Sequence, residues 1–283
     1  MDVISRALLF GGKALITAID MTQAAYEGAS THKMSDAAAQ PFGKLLCAAA
    51  YISAQFKHQS DRMTMIVEGD GSMGKCVVCG DYGAIVKGYV DNPSARGGNI
   101  CEVVGGDGYV SVIKDLGLKE PYRGYGKIIK GDIDSDIAGY FALSEQMPTA
   151  LKLCSEFNNG LCIKCGGIFI TPMPGCGEEL IVILEDIARN FNDIADMLAK
   201  NSPDEIIDMH FGHFDIEMLP DIFPKFRCDC GVERTARTIK LIGRKEAERI
   251  IEECGEIGVH CEFCGKDYTF YTEDLNKIFK EEK

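Results

Sequence analysis

Cys228-Asp229-Cys230-Gly231 and Cys261-Glu262-Phe263-Cys264-Gly265, with thirty residues between Cys230 and Cys261, decide how the C-terminal part of this chain folds. Four thiols in two close pairs suit a tetrahedral metal that takes four sulfur ligands. Each pair is followed by glycine, which turns back without a Cβ clash and lets backbone N–H groups point at the thiolates. Zinc (Zn2+) matches soft thiolates and tetrahedral geometry, and the spacing also admits an iron–sulfur cluster. Four unrelated buried cysteines would not arrive as two glycine-terminated pairs. The module around them is short of apolar residues, so metal binding is expected to supply much of its folding free energy.

Within the spacer, Val232–Leu241 is expected to be helical. Ala247, Ile250, Ile251 and Cys254 mark one face of a second helix, which makes Cys254 a buried free thiol. Ile257–His260 and Tyr268–Tyr271 read as strands flanking the Cys261 turn, and Thr272 can cap a last helix carrying Leu275, Ile278 and Phe279. Upstream, Leu184, Ile187, Ala188, Phe191, Ile194, Ala195 and Leu198 predict a helix from Glu179 to about Lys200. Ser202-Pro203-Asp204-Glu205 then starts a short helix to about His210. These helices join the preceding core to the cysteine module and are expected to be docked in the resting protein.

The first 177 residues alternate hairpins with helices. Ile4–Phe10 and Lys13–Asp20 pair through a two-residue turn at Gly11-Gly12. Ser35 caps a helix to about Phe56 whose stripe is Phe42, Leu45, Leu46, Ala49, Ile52 and Phe56, with Pro41 arguing for a later start. Arg62–Glu68, Gly74–Cys79, Ala84–Val90 and Tyr109–Lys114 read as strands, the last after a glycine-rich section from Gly97 to Gly108. Asp132–Gln146 is a helix burying Ile133, Ile137, Tyr140 and Phe141. Ala150–Phe157 and Leu161–Thr171 form a hairpin closed by Asn158-Asn159-Gly160. Without regular βαβ alternation this is an α+β chain: a large N-terminal core of β-hairpins packed with helices (1–177), an acidic helical linker (178–224) and a small C-terminal zinc-binding module (225–283).

Charge is segregated along the same divisions. The net charge is −13 over 283 residues. Residues 178–224 hold two basic and 12 acidic side chains (−10), against 16 and 18 (−2) before them and 12 and 13 (−1) after them. This argues against a nucleic-acid or anionic-membrane partner. Met1–Phe10 has no secretory pattern, and no apolar run approaches the ~20 residues that span a bilayer. Thirteen cysteines without a secretory signal predict a reducing, cytoplasmic setting in which paired thiols bind metal or act in redox chemistry.

The remaining motifs carry less. Cys76-Val-Val-Cys79 and Cys162-Ile-Lys-Cys165 fall in strands, where residues i and i+3 point to opposite faces and cannot share a metal or a disulfide. Cys47 and Cys101 read as ordinary cysteines too. Gly105-Gly106-Asp107-Gly108 lacks the endings of a phosphate loop. The five histidines have neither HExxH spacing nor paired carboxylates, and no nucleophile–base pair is present. An enzyme is not expected.

Phe226-Arg227-Cys228-Asp229-Cys230 and Cys261-Glu262-Phe263-Cys264 resemble the redox-switch domain of the heat shock protein 33 family of redox-regulated chaperones. The likeness continues, in order, through Arg6-Ala7-Leu8, Val67-Glu68-Gly69-Asp70-Gly71, Lys87-Gly88-Tyr89-Val90-Asp91-Asn92-Pro93, Pro121-Tyr122-Arg123-Gly124, Ser144-Glu145-Gln146 and the run before Pro220, so it spans the chain. The resemblance implies an ATP-independent holdase whose metal ligands Cys228, Cys230, Cys261 and Cys264 are also its redox-active cysteines. Close spacing makes Cys261–Cys264 and Cys228–Cys230 the expected disulfides, the second closing a tight, readily reduced ring. Oxidation would expel zinc, unfold the module and loosen the acidic helices, exposing apolar surface to unfolded or oxidatively damaged client proteins; the oxidised form admits a homodimer. Two other readings stay in play: a zinc-ribbon nucleic-acid-binding protein, which would need the basic residues of the spacer to form an uncancelled face, and a thiol oxidoreductase using the strand cysteines.

Overall fold

The computed structural model describes residues 1–189, 191 and 193–279. The chain begins with β1 (Val3–Leu9), β2 (Ala14–Asp20), α1 (Thr22–Thr31) and α2 (Asp36–Ser53), then β3 (Arg62–Gly69), β4 (Lys75–Asp81) and β5 (Ile85–Val90). It continues through α3 (Ile100–Val104), β6 (Gly108–Asp115), β7 (Tyr122–Lys127), α4 (Ile133–Leu143), β8 (Ala150–Asn158) and β9 (Leu161–Pro172). Next come α5 (Glu178–Arg189), α6 (Ile194–Lys200), α7 (Pro203–Phe211), β10 (Ile216–Ile222) and β11 (Lys225–Phe226). The last elements are α8 (Val232–Ile242), α9 (Arg244–Cys254), β12 (Ile257–His260), β13 (Asp267–Phe270) and α10 (Thr272–Ile278). Two compact units result, Met1–Arg227 and Cys228–Lys283. The α+β class expected from the hairpins holds.

In the first unit a five-stranded sheet, ordered β10-β1-β2-β9-β8, and a six-stranded one, ordered β11-β5-β4-β3-β6-β7, share α2 as their common core. Helix α2 shows more than a stripe: Ala48, Ala49, Ala50 and Tyr51 are all buried along with Phe42, Leu45 and Leu46, so it is apolar all round, as a helix enclosed by other layers must be. Ser35 caps it by accepting from the Ala38 N–H. The helix starts there despite Pro41, because burial on every side outweighs the backbone bond that proline forfeits. Tyr51 stacks on Phe169 at 3.9 Å and places its hydroxyl 2.7 Å from that of Thr171, tying helix to sheet. The other face of the five-stranded sheet, with Ala7, Leu9, Ile16, Ile168 and Ile170, is covered by Leu184, Phe191, Ile194, Leu198, Ile206, Ile207 and Phe211.

Several local expectations change in the fold. The first hairpin closes with four residues, since Leu9 pairs with Ala14 and Phe10 takes φ 53. Phe10 is held there by its ring contact with Phe214 at 5.0 Å and by its N–H donating to the Asp215 carbonyl. The turn expected at Asn158-Asn159-Gly160 narrows to two residues, Asn159-Gly160 with φ 51 and 77, because Asn158 pairs with Leu161 in the ladder. The helix read from Glu179 to Lys200 is two, because Asp193 caps a new start by accepting from the Asp196 N–H at 2.9 Å. The acidic stretch also ends in a strand. Pro220 disguises β10 in the sequence, but β10 lies at a sheet edge and its pairing with β1 shifts register there, both places that tolerate proline. Helices α1 and α3 were not expected; α3 is short and starts where Asn99 accepts from the Glu102 N–H.

Gly166 on β9 shows how closely these layers meet. A Cβ there would lie 2.1 Å from the Ile19 carbonyl oxygen and 2.7 Å from Leu198 of α6. Gly166→Ala is therefore expected to destabilise the first unit by about 1–3 kcal/mol, lowering its melting temperature by several degrees in a circular-dichroism scan. An unchanged melting temperature would mean that α6 does not press on the sheet.

Candidate metal centre

The second unit folds around few apolar side chains: Ile239, Ala247, Ile257, Phe270, Leu275 and Ile278 are its buried set. Helices α8 and α9 and the hairpin β12–β13 each contribute, with Val259 opposite Tyr268 and His260 opposite Asp267 in the hairpin register. Cys254 is exposed, contrary to the helix-face expectation. It is the last residue of α9, directly before Gly255 in the left-handed region, where the chain leaves the helix. The last helix is capped at Tyr271, whose N–H donates to Asp274; Thr272 is its first helical residue.

The cysteine pairs sit in different local structures: the first in extended chain leading into α8, the second at a turn. After Cys264 the chain turns at Gly265 with φ 66, where the Gly265 N–H donates to the Cys261 carbonyl at 2.8 Å. Gly231 differs from the expectation: its φ is −176, extended backbone open to any residue, and it serves as the entry to α8. The N–H groups of Cys230 and Lys266 do point at the sulfurs of Cys228 and Cys264.

The fold brings together all four cysteines expected to meet. The Sγ atoms of Cys228, Cys230, Cys261 and Cys264 lie within 4.8 Å of one another. Cys228 and Cys261 are 3.7 Å apart and Cys230 and Cys264 are 3.2 Å apart, so the close approaches run between the two arms. A tetrahedral metal with sulfur bonds of about 2.3 Å needs sulfurs about 3.8 Å apart, a spacing inside the range of 3.2 Å to at most 4.8 Å that these four sulfurs span. Among the described residues these are the one group of this kind.

The thiols are electrostatically unequal. Burial pushes Cys228 and Cys264 up. Burial also opposes ionisation of Cys230, but hydrogen bonds from Tyr268 and the other three thiols outweigh it and bring Cys230 down to about 7. The Tyr268 hydroxyl lies 3.1 Å from the Cys230 sulfur, and this bond pushes the phenol up to about 12. Neither Tyr268 nor the Arg234–Asp229 ion pair beside the first arm was singled out from the sequence, since nothing in their spacing marks them.

The other cysteines stay apart from this centre. On β4, Cys76 faces the α2 core while Cys79 lies 3.5 Å from the Thr64 hydroxyl, on opposite faces as expected. On β9 the expectation fails. A register shift at Glu156/Phe157 places Phe157 opposite Cys162 and Ser155 opposite Cys165, so both cysteines turn to the α2 side. A bulge adds a residue and resets the alternation. Burial pushes Cys162 up to about 12 and raises Cys165 well above the ordinary thiol range, which favours the protonated, unreactive form of both. Cys47 is buried and Cys101 exposed. Cys76→Ser and Cys162→Ser are each expected to bind metal as the parent does in a zinc-release assay; metal loss equal to that of Cys261→Ser would relocate the site.

Two sheets enclosing a helix, with further helices on one outer sheet face, followed by a small unit of helices and one hairpin that gathers four thiols, define the class of fold. The family model for Hsp33 protein matches residues 2–271. The 33 kDa chaperonin of Thermoanaerobacter sp. (strain X514) is 33% identical over 288 residues, covering 99% of this chain and 98% of that protein. That of Caldanaerobacter subterraneus is 34% identical over 289 residues, with the same coverage. The crystal structure of the 33 kDa chaperonin (heat shock protein 33 homolog) from Thermotoga maritima superposes with a TM-score of 0.86 at 25% identity, covering 99% of this chain and 98% of that one. The chain belongs to the Hsp33 family. Among the described residues no helix is long and apolar enough to cross a membrane.

Proposed function

We propose that this protein is a redox-regulated, ATP-independent holdase chaperone of the cytoplasm, with Cys228, Cys230, Cys261 and Cys264 as both its zinc ligands and its redox-active cysteines. The observation that carries the reading is the convergence of these four thiols in a unit with so small a buried core. Bound zinc would hold the two arms together and keep the sulfurs as thiolates. An accessible thiolate attacks peroxide and becomes a sulfenic acid, and a neighbouring thiol condenses with it to a disulfide. Each such step removes ligands, and a unit that depends on them for folding then opens. Once it has opened, the partners nearest in the chain close fastest, which supports Cys261–Cys264 and Cys228–Cys230 as the disulfides formed.

Functionally the chain divides into a core (1–177), a releasable segment (178–224) and a switch (225–283). The tether between the last two is short: Lys225 and Phe226 pair with Ile85 and Val86, Arg227 donates to the Val86 carbonyl, and the next residue is Cys228. Disorder beginning at Cys228 would act first on β11 and then on the edge strand β10 before α5–α7. Releasing these helices uncovers the sheet face of Ile16, Ile168 and Ile170, an apolar surface fit for unfolded or oxidatively damaged clients. The net −10 of residues 178–224 then keeps the freed segment soluble and self-repelling. An oxidised homodimer is compatible with such a surface.

A zinc-ribbon nucleic-acid role is less well supported. Three arginines of the second unit are engaged by acids: Arg244 by Glu248, Arg249 by Glu246 and Glu253, and Arg234 by Asp229. The deciding experiment is to follow zinc release and free thiols before and after peroxide, beside an aggregation assay with a denatured client. Zinc and thiol loss should coincide with client protection, and thiol reductant with zinc should reverse both. Zinc release without protection would leave the cage as a structural staple alone.

A further inference from the structure

Tyr268 sits on β13 opposite Val259, and its ring packs against the buried cluster of the second unit. The ring is thus anchored by apolar contact while its hydroxyl reaches, 3.1 Å away, the sulfur of a cysteine 38 positions earlier in the chain. The same sulfur faces Cys264 at 3.2 Å. A ligating thiolate carries no proton and can only accept, so in the loaded site the phenol O–H must be the donor. Groups that hydrogen-bond a ligand atom fix its direction and tune its electron density.

We propose that Tyr268 is a positioning residue of the metal centre, whose hydroxyl aims the Cys230 sulfur into the cage and restrains its attack on peroxide, so that this one bond helps set the oxidant level at which the switch opens. The proposal rests on the redox reading above and adds a regulator to it. In the restrained step the Cys230 sulfur attacks one oxygen of hydrogen peroxide, the O–O bond breaks, and the departing hydroxide takes up a proton and leaves as water. Sulfur is oxidised from thiolate to sulfenic acid and peroxide is reduced. A neighbouring thiol then attacks that sulfur, the S–O bond breaks, its oxygen leaves as water with the thiol proton, and the disulfide forms. A hydrogen bond donated to the sulfur draws on the lone pair that makes the first attack. Its removal frees that pair.

The test uses full-length Tyr268→Phe, which keeps the ring and removes only the hydroxyl, beside Val259→Ala, which loosens the facing strand position and keeps the hydroxyl. Each reduced protein is loaded with cobalt(II), and its thiolate-to-cobalt charge-transfer band is recorded. Each zinc-loaded protein is then treated with limiting hydrogen peroxide, and oxidation at each cysteine is timed by mass spectrometry. For Tyr268→Phe the charge-transfer band should move to lower energy and Cys230 should oxidise about three- to tenfold faster, the scale of one hydrogen bond. Val259→Ala should leave the band where it is in the parent. An unmoved band together with an unchanged Cys230 rate in Tyr268→Phe would overturn the proposal, as would a band that moves equally in Val259→Ala. These readouts follow the thiols and the metal, with no client present. A failure of client protection would therefore sink the chaperone reading and leave the role of Tyr268 standing.

Discussion

Changing Cys261 to serine in the full chain is expected to abolish metal retention by the reduced protein and to unfold residues 228–279. The six buried apolar side chains of that unit are too few to offset the ordering of its backbone, which is the usual predicament of domains this small. A structural four-thiolate zinc contributes about 10–16 kcal/mol at neutral pH, and most of that is folding free energy. Serine is a far poorer ligand for a soft, thiolate-preferring site, so the loss should be severe. Amide exchange should show protection vanishing across α8, α9 and β12–β13 while persisting at β2 and β9. Because the open switch is the active state in the proposed cycle, this variant should also protect a denatured client without any peroxide. A metal-free module that keeps its protected amides would show that its packing suffices alone, and the switch mechanism would lose its basis.

The second large effect concerns the cover on the five-stranded sheet. Phe211 is 0% exposed and, with Ile206, Ile207 and Phe191, seals the face that carries Ile16 and Ile168. Phe211→Ala should cost about 3–5 kcal/mol. The loss falls on helices that have one sheet face to hold them, so it should appear as local opening more than as global unfolding. Hydrophobic-dye binding and protease cutting between residues 178 and 211 should both rise in the reduced, zinc-loaded protein, with its zinc content unchanged. Client protection should rise with them. This separates the binding surface from the trigger: released helices without client protection would place the client surface elsewhere, whatever the metal site does.

Much of the metal centre was legible because its information is local. Cys-x-Cys and Cys-x-x-Cys-Gly are two short, glycine-followed motifs whose pairing is readable from spacing alone, and the fold brings their four sulfurs within 4.8 Å of one another. Hairpins with their own turn residues were legible for the same reason, as at Asn159-Gly160. What escaped depended on partners distant in the chain. Arg6 pairs with Leu219 through an edge strand that its proline conceals, and Phe10 takes a left-handed turn because Phe214 and Asp215 hold it. The bulge that turns Cys162 to the face of Cys165 is set by its partner strand and leaves no mark in the spacing.

The sequence by itself determined which four thiols stand out as a set, the acidic character of the segment before them and the α+β class, since each follows from spacing, charge or periodicity within a few turns of chain. Only the tertiary structure decided that α2 is enclosed on all sides, that α5, α6 and α7 cover one particular sheet face, and that Tyr268 points at Cys230. These depend on which surfaces meet, and burial and hydrogen-bond geometry between residues far apart in the chain are properties of the packed molecule alone.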